Sequence, residues 1–286
     1  MGEVSKRLYR RFASKAHTLP TKEPKRRPGE PLPGNIRDVG MLIKDGLDPI
    51  HAAYAYIQQI SSQFAEGASQ LPELKEYAKL AGKAEDEYMP MGPPMSPLTV
   101  SYFTCWALYD LQFGRDGETI GKCEIDANDI FWLNADQLDA LKKLSESRMG
   151  IYEHVGSMSG LVQLRELITG DDFHCLSASG YKGKPGELWY VRRLPPLMPE
   201  MASYHVIFTT PYVLIEATKD DWTQFLKRTM PKIEGGDERQ RLHLLLKYGL
   251  NTNYWNEFVF KAYHHHQHDA IFLAGIPDLQ ATLPHA

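Results

Sequence analysis

At 286 residues, with 43% hydrophobic and 24% charged side chains, the chain has apolar surface for one large core or two small ones and the composition of a globular protein. No apolar run nears the roughly 20 residues that a membrane helix needs, and the basic N-terminus leads into no apolar segment of the kind a secretory signal carries. The net charge of −4 conceals an asymmetry: residues 1–27 hold nine Lys/Arg against Glu3 and Glu23, or +7, which leaves −11 on the remainder.

That basic stretch is Lys6, Arg7, Arg10, Arg11, Lys15, Lys22, Lys25, Arg26 and Arg27. Within it "VSKRLYRRFASKA" suits a short basic helix, whereas the prolines of "PTKEPKRRPGEPLPGN" exclude both helix and strand. The reading is a basic, Pro-rich, disordered arm over residues 1–35, with no core position before Ile36. Such an arm on an acidic body either folds back onto it or reaches for a polyanion.

A helical segment is expected over 36–82. Asp48 is an N-cap and Pro49 fits the first helical position, after which Ile50, Tyr54, Ile57, Ile60 or Ser61, and Phe64 recur on one face. A shorter helix runs from Pro72 to Gly82. The prolines of "EDEYMPMGPPMSPLT" predict a linker at 83–97. The main α+β domain is expected over 98–286. It opens on an apolar helix striped by Leu98, Tyr102, Trp106, Tyr109 and Phe113. Asn134 and Gln137 form a capping pair for the next helix, whose inward residues are Leu138, Leu141 and Leu144 and whose stop is Gly150.

From about residue 151 to 217 the period changes from 3.6 to 2. Five β-rich runs separated by Gly, Asp and Ser turns predict a small bent antiparallel sheet or partial barrel, with helices packed around it. Helices return at "TKDDWTQFLKRTM", "DERQRLHLLLKYG" and "TNYWNEFVFKAYHHH", the last burying Trp255, Phe258, Val259 and Ala262, and "AIFLAGIPD" reads as a final strand.

Trp106, Asp110, "LDALKKLSES", "GIYEHV", "LRELITGDDF" and "RRLPP", with Leu164, Arg165, Leu167, Thr169, Gly170, Arg193 and Pro195, resemble a family of uncharacterised bacterial proteins that often carry a SEC-C metal motif. The resemblance covers about residues 100–200. It implies a helical lead-in followed by a small β-module with no established activity. The Cys-rich zinc tail of that family has no counterpart here, so the resemblance does not imply zinc.

The candidates for chemistry are few. If the last helix continues to residue 268, His264 and His268 share a face, as do His265 and His268, and Asp269 adds an oxygen ligand. Against a metal centre stand the lack of HExxH and the affinity of imidazoles for a helix C-terminus. In "HCLSASGY" an extended strand sends His174 and Cys175 to opposite faces, so they form no nucleophile–base pair, while Cys175, Ser177 and Ser179 share a side. "SGYKGKPGE" reads as a hairpin turn, and Arg192 and Arg193 point opposite ways. Tyr181, Trp189 and Tyr190 offer a base-stacking surface or belong to the core. Cys105, Cys123 and Cys175, odd in number and without a CxxC pair, suit reduced thiols in a cytoplasmic protein.

The favoured expectation is a cytoplasmic, non-enzymatic interaction protein that uses no cofactor. Its arm would contact nucleic acid or a ribonucleoprotein through Lys6, Arg7, Arg10, Arg11, Lys15, Lys25, Arg26 and Arg27, with an unidentified protein partner as a further option. The alternative is a metal-dependent hydrolase built on His264, His265, His268 and Asp269. Composition, fold and patterning together indicate an α+β chain with no membrane contact.

Overall fold

The structure is a computed structural model, and it describes residues 1–16, 37–68, 71–88, 100–131, 133–250, 258–267 and 269–277. It is α+β. The chain forms two compact units, Met1–Lys83 with Phe103–Glu146, and Ala84–Tyr102 with Ser147–Ala286. No described helix is long and apolar enough to cross a membrane.

The first unit is helical. It contains α1 (Glu3–Ala16), α2 (Val39–Lys44), α3 (Pro49–Ala68), most of α4 (Lys75–Tyr88), α5 (Val100–Tyr109) from Phe103 onward, α6 (Ile120–Asp126), α7 (Asn128–Phe131) and α8 (Ala135–Glu146). Helix α3 begins where Asp48 accepts hydrogen bonds from the N–H groups of Ile50 and His51, and it buries Ile50, Ile57, Ile60 and Ser61. Helix α8 opens on a reciprocal capping pair: Gln137 N–H donates to Asn134 Oδ1 at 2.8 Å and Asn134 N–H to Gln137 Oε1 at 3.0 Å. It stops at Glu146 rather than at Gly150, which lies in the strand that follows. A Cβ at Gly150 would meet the Tyr152 hydroxyl at 2.5 Å and its ring at 2.6 Å, so glycine there is a packing requirement and not a helix stop. Phe113, expected on the α5 stripe, lies beyond that helix. It pairs with Glu118 in a backbone bridge, and the two residues exchange both N–H···O=C bonds.

Residues 3–16 correct the expectation of a disordered arm. They form α1, and Val4, Ser5 and Leu8 are buried, so core positions do precede Ile36. One face of this helix is apolar enough to pack on α6 and α7 although its composition is strongly basic. Residues 17–36 lie outside the described residues.

The second unit contains the sheet: β1 (Arg148–Met158), β2 (Leu161–Glu166), β3 (Asp172–Ser177), β4 (Leu188–Leu194), β5 (His205–Glu216), β6 (Phe258–His266) and β7 (Ile271–Pro277). Its order is β3-β2-β1-β4-β5-β7-β6, and β3 also pairs with β5. The first five strands therefore close into a ring, 1-2-3-5-4, a small barrel. The sheet is mixed and not antiparallel throughout, because β3–β5 and β5–β7 are parallel. The long β5 accounts for this. One edge lies along β4, while the other pairs first with β3, at His205–Ile207, and then with β7, at Tyr212–Glu216. Between the two stretches stand Thr209, at φ 69°, Pro211, and a shift in the β4–β5 register, the marks of a bulge that re-aims a strand.

The barrel is filled by Tyr152, Val162, Leu164, Cys175, Trp189, Val191, Ile207 and Val213. Helix α9 (Lys219–Thr229), opened by a Thr218–Asp221 capping box, packs on β7, and α10 (Glu238–Tyr248) packs on β1. Within the segment expected to be a third helix, the described residues 258–266 form β6, paired antiparallel with β7. Its aromatic and β-branched residues Phe258, Val259, Phe260 and Tyr263 suit a strand, and the partner strand decides the matter. Trp255 lies outside the described residues.

Candidate nucleic-acid interface

Helix α1 displays the described part of the basic cluster. Val4, Ser5 and Leu8 turn inward, while Lys6, Arg7, Tyr9 and Arg10 are exposed. This is the 3.6-residue period acting on a basic sequence: spacings of three and four gather the apolar residues on one side and leave the cations on the other. Lys15 lies in the last turn of α1, whereas Lys25, Arg26 and Arg27 lie outside the described residues.

The helix is fixed at its N-terminus by two carboxylates from the turn before α6. Glu3 N–H donates to Asp116 Oδ2 at 2.8 Å, Val4 N–H to Glu118 Oε2 at 2.8 Å, and Ser5 N–H to Glu118 Oε1 at 3.1 Å. The Ser5 hydroxyl also donates to Glu118. These acceptors satisfy N–H groups that no helix can satisfy internally and place negative charge at the positive end of its dipole. Gly2 packs against the same carboxylate, so closely that a Cβ would lie 2.2 Å from Glu118 Cδ.

Farther along, Arg11 Nη1 donates to both oxygens of Glu73 at 3.0 Å. Partial burial pushes the Glu73 carboxyl up, but the Arg11 hydrogen bond, its own backbone and the charges of Arg11 and Arg7 hold it below the ordinary carboxylate range. Of the four basic residues whose side chains are described on α1, Arg11 is thus paired and Arg7 lies in the field of the same acid.

The remaining candidate residues separate. His264 and His265 stand on β6, so helical i, i+4 spacing does not apply to them; His268 lies outside the described residues. Asp269 lies in the β6–β7 connection, where its carbonyl accepts from Ser179 Oγ at 2.7 Å. Among the described residues no group of three or more His, Cys, Asp and Glu is arranged to hold a metal ion.

His174 is exposed and Cys175 is fully buried, and burial pushes the Cys175 thiol up to about 12, far from a nucleophilic thiolate. Residues 179–187 are not a hairpin turn, since β3 and β4 do not pair with each other; they lie in the β3–β4 connection, where Lys182 Nζ donates to the Gly160 carbonyl at 2.6 Å. Trp189 and Tyr190 are core, and Tyr181 tilts against Trp189 while donating to Glu187, so these three rings do not form an open stacking surface. Arg192 is buried and donates to the carbonyl and hydroxyl of Ser147, while Arg193 stacks at 3.6 Å on Phe173 and reaches the His205 ring.

Three acids were not singled out from sequence: Asp116, Glu118 and Glu73. Each acts on α1 across a long sequence separation, and an ordinary acidic residue in a turn or a short helix gives no local sign of that. The one readable hint is the acidic content of "GRDGE" beside the basic charge of the N-terminus. No family model, curated protein or solved structure matches the chain.

Proposed function

We propose that this chain is a cytoplasmic, non-enzymatic interaction protein that contacts nucleic acid or a ribonucleoprotein through its basic N-terminal segment. The observation that supports the reading is the exposure of Lys6, Arg7 and Arg10 on a helix whose other face is buried. A helix anchored in this way offers its cations at fixed spacing, so binding phosphate costs less ordering entropy than it would for a free tail. Lys15, Lys25, Arg26 and Arg27 extend the same positive segment along the sequence. Against the alternative of base stacking, Trp189 and Tyr190 are buried and Phe173 packs against Tyr152.

The test is a salt titration of RNA and duplex-DNA binding by the full chain and by the Lys6→Ala/Arg7→Ala/Arg10→Ala variant. All three substitutions fall on the exposed face and leave the buried one intact. Wild type should lose affinity linearly with log salt, and the variant should flatten that slope by about 2–3, at ~0.9 per phosphate contact on duplex DNA. Weak, salt-insensitive binding by both proteins refutes the proposal.

A further inference from the structure

Glu73 pairs with one of the basic side chains of α1. Its two carboxylate oxygens take one guanidinium nitrogen of Arg11, both at 3.0 Å, and its charge is also felt by Arg7. Arginine binds carboxylate and phosphate through the same donors and comparable geometry, so an acid placed on a phosphate-binding arginine acts as an internal competitor. Both side chains are partly accessible, Arg11 at 32% and Glu73 at 17%, so solvent and a polyanion can reach the pair. An ion pair of that accessibility contributes little net stability, which makes exchange of one anion for another cheap.

We infer that Glu73 is an intramolecular phosphate mimic, holding Arg11 out of the nucleic-acid interface until a polyanion displaces it. The inference rests on the proposed function and adds to it a residue that sets affinity without being one of its cations. Lys6, Arg7 and Arg10 form the constitutive part of the contact. Arg11 forms a conditional part that becomes available when phosphate density is high enough to compete with Glu73.

The experiment measures equilibrium binding of a single-stranded RNA and of a DNA duplex to the full chain, across salt, for wild type, Glu73→Gln, Arg11→Ala and the double variant. Glu73→Gln keeps the shape of the side chain and removes its charge. It should tighten binding about three- to eightfold near 0.1 M salt and steepen the slope by ~0.9 on duplex DNA, the signature of one added phosphate contact. In the Arg11→Ala background the same substitution should gain nothing, because the competed cation is gone. Salt-dependent binding that Glu73→Gln leaves unchanged or weakens overturns this inference and spares the proposed function. An equal gain with and without Arg11 overturns it too, since that is a general charge effect. Absence of binding by all four proteins overturns both.

Discussion

Glu118 accepts hydrogen bonds from the backbone N–H groups of Val4 and Ser5, residues more than a hundred positions away, and in doing so caps the helix that carries the basic cluster. The same carboxylate takes the Ser5 hydroxyl and lies in contact with Gly2. A buried acceptor of this kind leaves several donors stranded if it is removed. Glu118→Ala should therefore cost about 2–3 kcal/mol, the range for hydrogen bonds to a charged group plus a lost helix cap. Denaturant unfolding measures the loss, and hydrogen exchange should show the first turn of α1 losing protection first. Unchanged protection there would mean that packing alone seats the helix.

Deletion of residues 1–27 should destabilise the protein and not merely remove charge. Leu8 is 1% exposed and Val4 likewise, so the deletion strips side chains from a packed interface. Leu8→Ala alone should cost about 2–5 kcal/mol. Binding experiments on the truncated chain would then mix folding with affinity, which is why the surface variants are the better probes. A truncated protein that melts at the wild-type temperature would contradict the burial of α1.

Trp106 is 2% exposed and packs against Phe103 at 5.5 Å between ring centroids. Trp106→Ala should cost about 3–5 kcal/mol, the range for truncating a large core aromatic. Thermal unfolding reads this directly, and a variant of wild-type stability would show the indole to be dispensable.

His205 should make the barrel sensitive to acid. Burial, then the charge of Arg193, lowers its pKa from 6.5 to about 4, with the Leu194 carbonyl opposing both. The folded state thus binds fewer protons than the unfolded state between these values, and stability falls as pH drops from about 6.5 toward 4. His154 is shifted the same way, chiefly by burial, and adds to the effect. Denaturant midpoints across this range should decline, and His205→Phe should make the decline shallower. NMR titration of His205 near 6.5 in the native protein would rule the account out.

Neither Cys123 nor Cys175 should react with a thiol reagent in the native protein. Both are buried, and desolvation pushes each thiol up to about 12, so the thiolate fraction at pH 8 is negligible. Mass spectrometry after alkylation should find both free in folded protein and modified in denatured protein. Rapid native labelling of Cys175 would show that the barrel opens.

The α+β class, the positions of α3, α8, α9 and α10, and the change to period-2 strands near residue 150 are legible in the residues alone. Each of these is written locally, in caps such as Asn134–Gln137 and Thr218–Asp221 or in the alternation of Val162 and Leu164 against Gln163 and Arg165. The basic cluster was equally plain, because charge can be counted. Other segments take their state from partners distant in the chain. Residues 258–266 read as a helix until β7 supplies a pairing partner, and residues 3–16 read as a tail until Asp116, Glu118 and an apolar surface receive them. Closure of the barrel belongs to the same class. Pairing of β3 with β5 joins residues about thirty positions apart, and loop-closure entropy opposes it until the core of Tyr152, Cys175, Trp189 and Ile207 forms. Short-range propensity is set by a residue and its neighbours, whereas a long-range hydrogen bond is set by whatever the fold brings to it.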